Sequence, residues 1–283
     1  EGTNFILKSD GELTVSSLEV SYSCTTGSID LIESDKIGDY YSFVNECEYY
    51  GYGADGTSAS TPYKIGAEEG FLALAREVNA DNPLTDTYFK LESDLDFTGD
   101  AYEFVPIGTY DNPFDGHFDG SNGDDKFTIT MDESFYTDGG VFGALSENAV
   151  VEKLNVEGEV RFEDDSYNIG GICGSTEGGI IRDCSVSAHF IPSNNEDPFG
   201  CVSIGGIVGS ASCGTQIISC EVSSTLDIYA GGDIGGIGGM VDETCYLENC
   251  DFLGKLFVYY DNPEIFDIGG LIGYIYKCYL LLL

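Results

Sequence analysis

The chain has 283 residues with 50 Asp and Glu against 11 Lys and Arg, a formal net charge of −39. So few cations cannot neutralise a run of phosphates, which sets nucleic acid aside as a partner. The chain is nevertheless 42% hydrophobic with 17 Phe and 19 Tyr, which excludes a disordered acidic tail, and its 38 glycines lack the every-third-residue spacing of collagen.

No window approaches the roughly 18 uninterrupted apolar residues of a membrane span, so no membrane insertion is expected. Residue 1 is Glu, with neither a basic nor an apolar leader segment behind it. The reading is of a chain whose leader has been removed or of a piece excised from a longer protein. There is no Asn-x-Ser/Thr sequon, and the ten cysteines and two histidines form no CxxC with HxxxH zinc pattern. No cofactor is expected.

In chain order, residues 1–60 alternate apolar and polar, as in Leu13/Val15 and Leu18/Val20/Tyr22/Cys24, and predict an N-terminal β-strand extension or small β-domain. Gly51 to Thr61, rich in Gly, Ser, Ala and Thr, is the linker candidate. Residues 67–80 have a helical period: Phe71, Leu74, Ala75 and Val78 share one face, and Glu68 and Glu69 sit in the first turn, where the helix dipole favours negative charge. This amphipathic helix is predicted to cover the apolar N-terminal end of a stack of coils, so residues 61–138 form a cap with the first coils.

From residue 139 to 283 the chain repeats. Gly139-Gly140-Val141-Phe142-Gly143 recurs at Gly170-Gly171, Gly205-Gly206, Gly235-Gly236 and Gly269-Gly270, with starts 31, 35, 30 and 34 residues apart. A second element comes after each of the first four copies, Val151-x-x-Leu154-x-Val156, Ile181-x-x-Cys184-x-Val186, Ile217-x-x-Cys220-x-Val222 and Leu247-x-x-Cys250-x-Phe252, and a third apolar stretch closes each period. Three short strands per period cannot bury themselves alone, so neighbours must stack. The predicted fold is all-β, a parallel β-solenoid (β-helix) with about 30–35 residues per repeat. The paired glycines are expected at sharp corners, where they supply φ > 0 and let the next coil approach. A phosphate-binding Gly-x-Gly-x-x-Gly loop is the rival reading, but no Lys-bearing helix comes after any copy.

With these motifs the sequence resembles the GLUG-motif family, matched by Gly270-Leu271-Ile272-Gly273 and, with Val or Ile in place of Leu, by the other copies. The upstream part is similar to that family's cap, in Phe71-Leu72-Ala73-Leu74-Ala75, Phe89-x-Leu91-x-x-Asp94-Leu95-Asp96, Val105-Pro106-Ile107-Gly108 and Phe114-x-Gly116-x-Phe118-Asp119-Gly120. The resemblance covers about residues 62 to 275. It implies bacterial surface and secreted proteins, adhesin-like proteins and the non-catalytic portion of immunoglobulin A-cleaving metalloproteases among them, and it supplies no catalytic residues.

On such a scaffold, Cys184, Cys220 and Cys250 share one repeat position and are expected to stack as buried, unbonded thiols, because parallel Cβ vectors about 4.8 Å apart exceed the ~3.8 Å mean separation of disulfides. A bond remains open in the looser corner of Cys213, Cys245 and Cys278, and another between Cys24 and Cys47. Asp94 and Asp96 read as turn partners rather than a glycosidase pair. Asp115, Asp119 and Asp124 are weak Ca²⁺ candidates that miss the EF-hand spacing. His117 and His189 have no nucleophile motif beside them. Tyr49, Tyr50, Tyr259, Tyr260, Tyr274, Tyr276 and Tyr279 are candidate stacking surfaces for glycans.

The sequence runs from Tyr274 to Leu283 without a polar terminal repeat, so the expectation is either that the natural protein continues or that a partner, another copy included, covers an uncapped solenoid end. These features predict a non-enzymatic extracellular structural or adhesive module. The alternatives are a filament subunit that pairs solenoid ends and a carbohydrate-active or glycan-binding β-helix. The expected partners are a protein or glycan at the cell surface, or other copies of the chain.

Overall fold

The computed structural model describes residues 55–99, 103–135, 139–162, 167–192, 201–228, 231–242, 244–258 and 267–276. The extension expected over residues 1–60 lies outside them up to residue 54, as does the apolar run after Tyr276. Residues 55–61, read from sequence as linker, form a closed turn. Asp55 Oδ1 accepts from the Thr57 amide (3.0 Å) and from the Thr57 and Thr61 hydroxyls (both 2.7 Å), and the Gly56 carbonyl accepts from Tyr88 N–H (2.8 Å).

Among the described residues there is one helix, α1 (Glu68–Asn79), near the N-terminus, as its apolar period requires. It buries Phe71, Ala73, Leu74, Ala75 and Val78 and starts with Glu68 and Glu69 in its first turn. Phe71 packs against Phe97 and Phe104 with ring centroids 5.3 and 5.5 Å apart, so the end of the core beneath α1 is aromatic. Glu68 Oε1 also accepts from the Asp96 amide at 2.8 Å, tying the first turn to the next strand.

The rest is an all-β parallel solenoid of about six turns. One face is a seven-stranded parallel sheet running from Tyr63–Ile65 through Tyr88–Leu91, His117–Asp119, Val150–Glu152, Ile180–Arg182 and Gln216–Ile218 to Tyr246–Glu248. A second face stacks Leu154–Phe162 with Ser185–Val186 and His189–Pro192, and these in turn with Glu221–Val222 and Thr225–Ile228. Two further sheets flank the glycine corner: Asn168–Gly170, Cys201–Gly205, Gly231–Gly235 and Asp267–Gly269 before it, and Phe142–Leu145, Cys173–Glu177, Val208–Ser212, Gly238–Asp242 and Ile272–Tyr276 after it.

The expectation of three strands per period is therefore corrected: the coil from Asn168 to Pro192 has five. The residues just before the glycine pair form a strand of their own, and a corner splits the stretch around Cys184 into two. Register keeps to the repeat, so Val156 pairs with Val186, Val186 with Val222 and Val222 with Phe252, and each inward column is apolar. Ile169, Ile204, Ile234, Ile172, Ile207 and Ile237 are fully buried.

In the pairs after the first, the glycines act by closeness rather than by backbone hand, a second correction; only Gly140, in the first pair, has the expected positive φ, at 154°. None of Gly170, Gly171, Gly205, Gly206, Gly235 and Gly236 has a positive φ. A Cβ on Gly171 would instead meet Val186 Cγ1 at 2.5 Å and the Gly206 carbonyl oxygen at 2.7 Å. The same backbone carries the ladder, with Gly171 N–H donating to Gly206 O (3.0 Å) and Gly206 N–H to Gly236 O (3.2 Å). A left-handed non-glycine residue does recur at one corner of each coil: Lys153, Asp183, Ser219 and Asn249 have φ of 53°, 54°, 53° and 53°. Each costs about 1–2 kcal/mol in an L-residue. Each also turns the next residue, Leu154, Cys184, Cys220 or Cys250, toward the core.

Gly171→Ala is expected to lower stability by about 1–3 kcal/mol in chemical denaturation through overpacking. Gly270→Ala, at the same repeat position but with nothing within 4 Å of the added Cβ, should stay within about 0.5 kcal/mol of the parent. Equal costs at both positions would show that the conformational freedom of the glycines matters more than the contact.

Candidate functional site

A concavity among the described residues lies between the cap and the first coils of the repeat. It begins at the C-terminal end of α1, where Asn79 fastens the loop after Phe104. The Asn79 side chain donates from Nδ2 to the Pro106 carbonyl (3.1 Å) and accepts at Oδ1 from Gly108 N–H (2.8 Å), while its own carbonyl accepts from Asn112 Nδ2 (3.0 Å). Thr109 and Asn112 close the loop tip by reciprocal backbone bonds of 3.0 and 3.1 Å. Tyr110 and Asp111 occupy that tip.

The facing wall comes from the repeat. Tyr167 and Asn168 lead into the strand Asn168–Gly170. Their carbonyls accept from Ser203 N–H (2.8 Å) and Gly139 N–H (2.9 Å), one on each neighbouring coil. Between the two walls is a 660 Å³ cavity, lined among the described residues by Asn79, Val105, Tyr110, Asp111, Tyr167 and Asn168 together with backbone of the loop. Tyr110 and Tyr167 are 70% and 65% exposed, unusual values for rings beside a cavity. No Lys, Arg or His lines it among the described residues.

Asp111 also borders a second cavity of 300 Å³, whose floor includes Asp115. Asp115 is 8% exposed and takes hydrogen bonds from Thr85 Oγ1 (2.6 Å), the Ser146 hydroxyl, and the Asn148 backbone N–H (3.2 Å) and Nδ2 (3.3 Å). Burial pushes its carboxyl up, but the donors from Ser146, Thr85 and Asn148 outweigh it and hold it below the usual carboxylate range. Asp115 thus joins the Thr85 loop to the Ser146–Asn148 loop of the next coil.

The other sequence candidates do not assemble into a centre. Asp119 accepts from Ser121 N–H and Oγ (both 2.8 Å) and lies 3.5 Å from Lys90 Nζ, while Asp124 is exposed in the hairpin between Asn122 and Asp125. Among the described residues no three His, Cys, Asp or Glu side chains are placed to hold a metal ion. Asp96 accepts from Thr98 N–H and Oγ1 (2.9 and 2.6 Å) and caps a turn, while Asp94 accepts from Thr128 N–H (2.8 Å) and so holds the backbone of a strand 34 residues on.

Cys184 and Cys220 are buried and Cys250 half-buried, each a free thiol. Each has two carbonyls within reach of its single S–H, one two residues back (Arg182, Ile218, Glu248 at 3.3–3.4 Å) and one on the preceding coil. Contact with Cys184, together with burial, pushes the Cys220 thiol up, which makes it inert as a nucleophile. Cys213 and Cys245, the pair left open for a bond, are both free; burial and Asp242 push the Cys245 thiol up to about 12. Cys278 and Cys24 with Cys47 lie outside the described residues.

His117 stacks on Tyr88 with ring centroids 4.2 Å apart, and burial pushes its imidazole down. His189 Nε2 lies 3.0 Å from Asp227 Oδ2, a pairing hidden in the sequence because the two residues are on successive coils. Of the tyrosines expected to offer stacking surfaces, Tyr274 is half-buried, nothing is described of the Tyr276 side chain, and the others lie outside the described residues. Tyr110 and Tyr167 carry no periodic signal by which the sequence could single them out.

Residues 165–190, the coil that supplies Tyr167 and Asn168, match the GLUG motif. The chain carries a GLUG motif. It is also 26% identical over 143 residues to halomucin of Haloquadratum walsbyi, a match that takes in 48% of this chain and 2% of halomucin. The fold is similar to the crystal structure of a candidate immunoglobulin A1 protease from Bacteroides ovatus, with a TM-score of 0.54 and 20% identity over 78% of this chain and 64% of that one. At that identity the likeness concerns the fold alone. Among the described residues no helix is long and apolar enough to cross a membrane.

Asp115→Asn is expected to cost about 1–3 kcal/mol at pH 7, because donors that meet a carboxylate are left facing an amide. A carboxyl held low in the folded state stabilises fully above its unfolded value of about 3.9, and that contribution disappears as pH falls through the lower folded value. The difference in melting temperature between parent and variant should therefore be widest near neutrality and narrow below about pH 4. A gap that widens on acidification would contradict the assignment.

Proposed function

We propose that the chain is a non-enzymatic extracellular structural or adhesive module of a surface or secreted protein. The observation that carries this reading is the in-register stacking of the GLUG coils, in which each coil's backbone and inward side chains serve as the floor for the next. A rigid rod of this kind holds loops and a cavity at fixed spacing without needing to move. Similarity to halomucin supports a surface or secreted setting.

The hydrogen bonding of the carboxylates points the same way. Asp94, Asp96, Asp115 and Asp119 are each engaged by amides or hydroxyls of the fold, as structural carboxylates are, and not left facing a groove in pairs as sugar cleavage uses them. The fold shared with the candidate protease supports a common scaffold. A second reading, a filament subunit, draws on Leu253, Phe257, Ile268 and Leu271, which are 68%, 44%, 51% and 44% exposed on the last described turns.

Purified chain should leave immunoglobulin A uncut on gels and acidic and neutral polysaccharides without new reducing ends, while beads coated with it are retained on a desialylated and desulfated mucin surface, whose glycans are neutral. Cleavage of either substrate, or loss of retention to the level of bare beads, would refute the module reading. The filament reading predicts fibres by negative-stain microscopy that become more abundant with salt, since added ions screen the repulsion between acidic copies. Single particles at every ionic strength would exclude it.

A further inference from the structure

We propose that the cavity between Tyr110 and Tyr167 is a binding site for a neutral saccharide. The two rings come from opposite sides, Tyr110 from the loop held by Asn79 and Tyr167 from the first described GLUG coil, and both stay largely exposed beside 660 Å³ of open space. Burying such rings in the protein would gain apolar contact. Rings held outward at the rim of a cavity offer flat apolar faces to something else. The C–H faces of a pyranose fit that use, since they are apolar while the ring's hydroxyls point sideways.

The polar complement agrees. Asp111 offers a carboxylate able to accept from two hydroxyls and Thr109 a hydroxyl, a few directional groups in a mostly apolar wall of Val105, Pro106 and the rings. The volume lies within the roughly 300–1,000 Å³ of small-ligand sites. Charge decides among sugars: the described lining holds a carboxylate and no cation, on a chain of net charge −39, so sialylated, uronic and sulfated glycans are repelled and neutral ones are not.

The walls are set before a ligand arrives. Asn79 pins the loop at Pro106, Gly108 and Asn112, and the backbone of Tyr167 is fixed by its bond to the next coil. Little ordering entropy is left to be lost on binding. Asn79 is a positioning residue, since its side-chain groups are already bonded to the loop.

A saccharide site deepens the surface-module reading and rests on it only for the setting in which a sugar would be met. The test uses the full 283-residue chain. Saturation-transfer NMR and titration calorimetry are run with neutral glucose-, galactose-, mannose- and N-acetylhexosamine-terminated oligosaccharides, sialylated and sulfated counterparts, and spermidine as an amine probe. At least one neutral oligosaccharide should receive saturation and bind with a measurable Kd, which Tyr110→Ala and Tyr167→Ala should each raise about tenfold, the loss of one stacked aromatic. Tyr→Phe at either position should retain most of the affinity, because the face and not the hydroxyl is used, and melting temperatures should be unchanged at such exposed positions.

Asn79→Ala should weaken binding even where melting is little affected, and Asn79→Gln should not restore it, because the longer side chain cannot make the same bonds. Several outcomes would overturn the proposal: no saturation of any neutral sugar at millimolar concentration, binding that survives both Tyr→Ala changes, a preference for the anionic set, or binding of spermidine alone with loss in Asp111→Asn. Mucin retention separates the two readings. Retention that persists in the double Tyr→Ala variant sinks the cavity and spares the module, whereas sugar binding without retention does the reverse.

Discussion

The closeness at which one coil's backbone lies on the next governs the rest of this fold. Parallel strands sit about 4.8 Å apart, and at the glycine corner even that spacing leaves no room for a Cβ, as the meeting of Gly171 with Val186 and the Gly206 carbonyl shows. Once the corner backbones are in contact, each N–H finds the carbonyl above it, Gly171 to Gly206 and Ile172 to Ile207 at 3.0 Å. Register cannot then slip, because a shift of one residue would turn every buried Ile and Val outward. The inward columns, the thiol row and the left-handed corner at Lys153, Asp183, Ser219 and Asn249 are all consequences of this fixed register.

The same constraint determines which features could be read from sequence. Anything that recurs once per coil leaves a periodic mark, and so the glycines, the apolar columns, the Cys184–Cys220–Cys250 row and the overall solenoid could be inferred, as could α1 from its own helical period. The number of strands could not, because a corner made by one left-handed Lys, Asp, Ser or Asn has no common residue type to announce it. Nor could the Asp115 network, whose partners Thr85, Ser146 and Asn148 lie 30 to 33 residues away on other coils. The tyrosines of the cavity sit where the repeat begins and the cap loop intrudes, a place without periodicity. Those that stand out as doublets and triplets in the sequence lie mostly beyond the described residues.

In-register stacking has a cost for an acidic chain, since it sets like residues above like. Asp132 lies beside Glu159 and Asp119 beside Glu152 in the ladder. Several of the few cations are found at these points. Arg161 pairs with both Asp132 and Glu159, Arg182 holds Glu152 at 2.8 Å, and Lys90 reaches Asp119. Asp233 and Asp267 pair in register further along, and burial together with the neighbouring carboxylate pushes Asp233 up. There the stack bears repulsion that protonation relieves. Exposed ion pairs contribute little each, so their value lies in preventing a repulsive column more than in adding net stability.

The repeat keeps the backbone path and the inward columns alike from coil to coil, while outward positions vary, as in Glu152, Arg182, Ile218 and Glu248 on one face. The path itself departs from the repeat at the junction of the cap with the first coils, where the loop pinned by Asn79 stands against Tyr167 instead of continuing a strand. The acidic surface acts in concert with this. By repelling anionic polymers and other copies over about a Debye length, roughly 8 Å at physiological ionic strength, it lowers nonspecific contact along the rod and leaves contacts that do not depend on charge to decide what is held. A cavity walled by aromatic faces and lacking cations among its described residues is suited to that task, because stacking on a neutral ring loses nothing to the surrounding field.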